Sequence, residues 1–218
     1  KREVFHLVEG YMDVIACHQA GVTTAVAPLG TAFTADQARL VARYAGKAVL
    51  VFDPDAAGQA AAFKAAPVLA ENEMEGYAVL LPEGRDPADL LVSGGADAVQ
   101  RSLSQEVDIL KFLVDDAKAR VKSPDLVLKE VFPYITSISS AVRRERCLDL
   151  VADSLGVDKY AVERDYDRGG RGPSPRQTPT SGARTFPKTT DLFLMLATLV
   201  NREHFSFVRK IVKPEDLE

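Results

Sequence analysis

Five acidic residues stand where one apolar run ends and the next helix begins: Glu9, Asp13, Asp53, Asp55 and Asp86. Glu9-Gly10 closes one run, Asp53-Pro54-Asp55 closes another, and Asp86-Pro87 follows a third. Asp13 lies four residues after Glu9, one helical turn on, so it can face the same edge. Crowded carboxylates resist ionising together unless a cation compensates. All-oxygen donors suit magnesium, with manganese as the alternative. Each acid also has an ordinary reading. Asp86 before Pro87 is a helix N-cap with proline at the first helical position, Asp13 is a first-turn acid favoured by the helix dipole, and an isolated Asp-x-Asp is a common turn. Glu is a poor cap, however, and Glu9 combined with Asp-x-Asp on a second run is the pattern of a cation site with Glu9, Asp53 and Asp55 as ligands.

The elements that would hold these acids alternate between two periods. Val4 to Val8, Thr24 to Ala27, Ala48 to Phe52 and Tyr77 to Leu81 are continuously apolar, as strands covered on both faces are. Helical segments fall between them. Asp13 to Ala20 ends at Gly21; Thr34 to Ala45 opens with a Thr34/Gln37 capping box and stops at Gly46; Ala56 to Glu73 is Ala-rich, with a kink expected at Pro67. This alternation predicts an α/β fold with a parallel sheet, whose functional crevice lies beyond the carboxyl ends of the strands. From about Ser102 the strand signal disappears. Helical spacing continues through Leu113, through Val131 and Ile135 with an interruption near Pro133, and from Val142 to Leu155 before Gly156; Asp158 caps a last helix to about Asp167. Residues 168–190 hold four prolines and five basic residues without an acid, the composition of a linker. Residues 191–218 resume helical spacing. The expected division is 1–100, 101–167, 168–190 and 191–218.

Composition narrows the alternatives. The 218 residues are 46% hydrophobic and 27% charged, a globular mix. Cys17 and Cys147 form no CxxC pair, which leaves no cysteine zinc site and fits a reducing cytoplasm. No apolar run approaches the ~20 residues that span a bilayer. The chain opens on Lys1 with a strand-like run from Val4, so a fragment of a longer protein is expected. The motifs GxGxxG and GxxxxGK[ST] are missing from the sequence. Leu29-Gly30-Thr31 could offer N–H groups to a phosphate or be a simple tight turn. His6, His18 and His204 lack a ligand-spaced partner. Net charge is −4, but residues 1–100 hold 7 basic and 13 acidic side chains against 20 and 18 in the remainder. The acidity is local to the half that carries the five carboxylates.

Val8-Glu9-Gly10-Tyr11-Met12-Asp13-Val14, Leu29-Gly30-Thr31-Ala32, Val51-Phe52-Asp53-Pro54-Asp55-Ala56-Ala57-Gly58-Gln59-Ala60-Ala61 and Leu81-Pro82-Glu83-Gly84-Arg85-Asp86-Pro87-Ala88-Asp89 together resemble the Toprim domain of bacterial DnaG-type DNA primases. The likeness covers residues 3 to about 100; the helical part to 167 resembles the end of the primase polymerase domain, and the remainder the approach to a helicase-binding domain. It implies a Toprim-like parallel-sheet domain followed by an all-helical subdomain. It also implies a nucleotidyltransferase that makes short RNA primers from ribonucleoside triphosphates on a single-stranded DNA template during replication. Glu9, Asp53 and Asp55 match the family's magnesium ligands, and Asp13 and Asp86 match further acids of the site. The family's last motif is Asp-Pro-Asp, whereas this chain has Asp86-Pro87-Ala88-Asp89, which leaves Asp89 outside the metal set.

The resemblance further implies a cytoplasmic monomer that meets the replicative helicase through its carboxyl-terminal region. Zinc would belong to an upstream domain that these residues do not include, so little or no priming is expected from them alone. Two other readings stay open. Toprim folds also serve nucleases and topoisomerases that cleave DNA. Leu155-Gly156-Val157, between two helices in Val151 to Tyr166, has the form of a helix-turn-helix or of an ordinary helical hairpin.

Overall fold

The computed structural model describes residues 3–28, 32–82 and 85–170. Leu29-Gly30-Thr31 and the segments expected as linker and last helices from Arg171 onward lie outside the described residues. Five strands form one sheet in the order β2 (Ala25–Val26), β1 (Glu3–Val8), β3 (Ala45–Val51), β4 (Glu75–Val79) and β5 (Glu106–Asp108). The first four are mutually parallel, and β5 runs antiparallel to β4. Leu7 pairs with Leu50 and Val8 with Val51, so β1 and β3 end side by side.

The continuously apolar strands divide their side chains between two cores, as the period of two requires. Phe5, Leu7, Ala48, Leu50 and Phe52 point to one face, where α2 (Ala35–Val41), α3 (Ala56–Glu71) and α5 (Ile109–Arg120) cover them. Val8, Val49, Val51 and Val79 point to the other, under α1 (Tyr11–Gln19) and α4 (Pro87–Leu103). The Thr34/Gln37 capping box forms as expected at α2. Three further helices, α6 (Pro124–Ser137), α7 (Ala141–Leu155) and α8 (Lys159–Asp165), add a layer that packs through α6 onto α3 and α5. Ile109, Leu113, Val131, Ile135 and Val151 are fully buried and make that layer one core with the sheet face beneath it.

Three local expectations change. Helix α2 ends at Val41 and Gly46 lies inside β3, because the Ala45-to-Val51 run buries more when paired between β1 and β4 than as a helix end. Helix α6 runs past Pro133 as a single element where an interruption was expected, just as α3 runs past Pro67 as the one helical segment expected there. Their tight packing on each other holds the turns where a ladder bond is missing. Residues Glu106–Asp108, read as part of a helical stretch, instead pair with β4 and extend the sheet. Lys47 on β3 draws Glu106 across the sheet surface and lies 4.2 Å from the Tyr77 ring centre, and Asp108 then caps α5 by accepting from the N–H of Leu110. A three-residue strand has no periodicity of its own, so only its partners define it.

Candidate functional site at the carboxyl ends of β1 and β3

Connections from β1 lead outward to β2, whereas those from β3 lead the opposite way to β4. The reversal falls between β1 and β3, which makes the end of this strand pair the sheet's topological switch point, where open α/β sheets present their crevice. Glu9 follows β1 directly and Asp53 lies two residues beyond β3. The Asp53 N–H donates to Glu9 Oε1 at 2.9 Å. Glu9 therefore bridges two strands at the crevice floor instead of capping a helix.

The other acids arrive on helix starts. Asp13 occupies the first turn of α1, is only 8% exposed, and accepts from the Gly10 N–H at 3.1 Å. Asp55 caps α3 by accepting from the Gly58 N–H at 2.8 Å. Asp86 caps α4, with Pro87 in the first turn, and accepts from the Asp89 N–H at 2.6 Å. The ordinary readings of Asp86 as a cap and Asp13 as a first-turn acid hold, Asp55 caps a helix where a simple turn was the ordinary reading, and all three duties coexist with placement on one rim. Caps serve the convergence, since a capping carboxylate is held at the start of a helix that points its positive end at the crevice.

Mutual repulsion measures how close the acids come. Burial and the charges of Glu9, Asp13, Asp86 and Asp55 together push the Asp53 carboxyl from its usual 3.8 up to about 6. Burial also raises Asp13, the N–H groups of Gly10 and Ala88 oppose it, and the charges of Asp86 and Glu9 add to the rise. The largest charges acting on either acid are those of other acids. Asp89 is exposed and donates its backbone N–H to the Asp86 cap.

No three acidic, histidine or cysteine side chains among the described residues converge tightly enough to form a preassembled metal cage. The donor set nonetheless fits a hard divalent cation. Its oxygens are carboxylate only, they repel one another, and magnesium typically takes one or two carboxylates and completes its shell with water and phosphate. A caged zinc or calcium site would need the convergence that is absent.

His6 and His18 do not join this rim. His6 lies within β1 and shares a hydrogen bond of 2.9 Å with the Thr24 hydroxyl, and burial lowers its pKa. His18 Nε2 lies 3.0 Å from the Ala25 carbonyl oxygen. A cavity of about 200 Å³ opens beside Asp53 between α3 and α5, with Phe52, Ala62, Val79 and Phe112 in its largely apolar lining. At the α7–α8 turn Gly156 is left-handed (φ 64°), and Lys159 of the seven-residue α8 is engaged by Asp149, Glu145 and Glu163. That acidic surround is the reverse of a DNA-reading helix face and matches the helical-hairpin reading. Sequence reasoning gave no separate role to Gly58, although a glycine in the first turn of an Ala-rich helix is itself an anomaly that signals a close approach.

A Toprim-like family model matches residues 6–91, the span that carries every acid of the rim. DNA primase of Treponema pallidum is 32% identical, over 97% of this chain and 38% of its own length. The Aquifex aeolicus primase, solved as its zinc-binding and RNA polymerase domains, superimposes with a TM-score of 0.63 at 30% identity, over 73% of this chain and 39% of that one. A DnaG primase catalytic domain solved bound to single-stranded DNA superimposes with a TM-score of 0.62 at 28% identity, over 74% of this chain and 54% of that one. This chain accordingly spans about two fifths of the Treponema relative. With its Toprim-like sheet and the helices packed behind it, the chain belongs to the bacterial DnaG-type DNA primase family.

Proposed function

We propose that this chain is the metal-bearing part of a DNA primase, whose whole protein makes short RNA primers from ribonucleoside triphosphates on single-stranded DNA. The carrying observation is the pairing of Glu9 with Asp53 at the sheet's switch point, with Asp13, Asp55 and Asp86 within electrostatic reach of Asp53. Toprim-type primases are metal-dependent, and Glu9, Asp53 and Asp55 would hold the ion, magnesium or manganese. When bound, the ion stabilises charge on the triphosphate oxygens during nucleotidyl transfer. The protein's own contribution is placement. Asp53, with its pKa near 6, gives up its proton readily as a cation arrives. Glu9 keeps one oxygen on the Asp53 N–H, and Gly58 keeps one Asp55 oxygen in place, so both carboxylates would be held in position for an ion. Asp13 and Asp86 extend the negative field that draws the cation in and that repels a triphosphate until the cation is present.

Single-stranded DNA, ribonucleoside triphosphates and a replicative helicase are the partners this reading entails for the whole cytoplasmic protein, acting as a monomer. None of the helices among the described residues is long and apolar enough to cross a membrane. Divalent-metal titration of the chain followed by thermal unfolding tests the site, with Mn²⁺ and Mg²⁺ expected to raise the midpoint and Glu9→Gln or Asp53→Asn to remove the rise. In the whole primase the same substitutions abolish primer synthesis. Primer synthesis that survives either substitution refutes the assignment, and magnesium-dependent DNA cleavage without nucleotides would move the chain to the nuclease branch.

A further inference from the structure

Gly58 lies buried in the first turn of α3, where alanine would favour the helix by about 1 kcal/mol. A Cβ on Gly58 would stand 2.2 Å from the Asp53 carbonyl oxygen, 2.6 Å from Glu9 Oε1 and 2.9 Å from the Asp53 nitrogen. Ordinary contacts of a Cβ begin at 3.4 Å. Two of the three obstacles are backbone atoms that cannot swing aside, and the third is already bound to the Asp53 N–H at 2.9 Å. Gly58 also donates its own N–H to Asp55 at 2.8 Å. One residue without a side chain thus meets all three acids that the sequence nominates as ligands.

We propose that Gly58 is a positioning residue of the metal site, whose bare Cα lets α3 lie directly on Asp53 and so sets the spacing of the Glu9, Asp53 and Asp55 carboxylates. The inference rests on reading these acids as a cation site. A methyl group at residue 58 would force Asp53 and Glu9 back by on the order of 1 Å, the gap between the distances above and ordinary contact. An ion that demands ligands at about 2.0–2.1 Å in octahedral array tolerates little of that.

The test compares Gly58→Ala with Gly76→Ala in the 218-residue chain. Gly76 is a matched control, because a Cβ there would stand 2.9 Å from Ile109 Cγ2 at the opposite end of the sheet from the acids. Mn²⁺ affinity is read by the paramagnetic resonance of free Mn²⁺, and stability by urea unfolding without metal. Gly58→Ala is expected to lose about 10- to 100-fold in Mn²⁺ affinity, the scale of residues that orient metal ligands. Gly76→Ala should keep wild-type affinity whatever stability it loses. Equal affinity in Gly58→Ala and wild type, or an equal loss in both variants, overturns the proposal. A second measurement needs no variant: Mn²⁺ added to ¹⁵N-labelled wild type should broaden the Gly58 amide together with that of Asp53. Broadening at Asp53 that spares Gly58 overturns the proposal even if Gly58→Ala fails to fold, whereas no broadening at Asp53 refutes the metal reading itself.

Discussion

Replacing Asp53 by Asn removes the charge on which four neighbouring acids act while keeping the side-chain shape, and should make the metal-free protein more stable. Below its ordinary pKa of 3.8, Asp53 is protonated in the folded and unfolded chain alike and costs nothing. As the pH rises through about 6, the folded chain must ionise it against Glu9, Asp13, Asp86 and Asp55, and stability present in acid is lost. The full rise corresponds to a ceiling of about 3 kcal/mol. The carboxylate is only partly buried, and solvent screening reduces this to about 1 kcal/mol. Urea unfolding with chelator at about pH 7.5 should therefore find Asp53→Asn more stable by about 1 kcal/mol, with the gap closing as the pH falls through 6 toward 3.8. Divalent metal should invert the order, because an ion that binds only the folded wild type stabilises it in proportion to the logarithm of ion over Kd. A variant equal to or less stable than wild type at neutral pH without metal would refute the account of a carboxylate strained by burial and by its acidic neighbours.

Other perturbations separate the site from its scaffold. Asp13→Asn should fold normally because an amide oxygen can still accept from Gly10, whereas Asp13→Ala leaves that N–H unpaired and should cost about 1–3 kcal/mol in urea unfolding. Leu113→Ala, at a fully buried point where α5 joins the helical layer to the sheet, should cost about 2–5 kcal/mol without changing Mn²⁺ affinity relative to folded protein. Cys17 is buried on the inner face of α1, and burial pushes its thiol up to about 12, so a thiol reagent at about pH 8 should label it only under denaturing conditions.

Much of this protein is readable from short-range chemistry. Runs such as Ala48 to Phe52 announce strands buried on both faces, Thr34 and Gln37 announce a helix start, and the types of Glu9, Asp53 and Asp55 announce oxygen ligation, because each signal depends on neighbours within a few residues. The acids' individual duties were legible only as alternatives: Asp86 could cap or converge and Asp55 could sit in a turn or converge, and the fold has each cap a helix at the same rim. Tertiary structure alone decided the strand order, which sets β1 beside β3 and brings Glu9 onto the Asp53 amide across 44 residues of chain. It also decided that Glu106–Asp108 joins the sheet, that Pro133 stays inside a continuous helix, and that Gly58 must lack a side chain. Local sequence can specify which groups carry charge and which runs seek burial. Contacts closed over long loops depend on how all the elements pack at once, and the geometry of the acid rim belongs to that second kind.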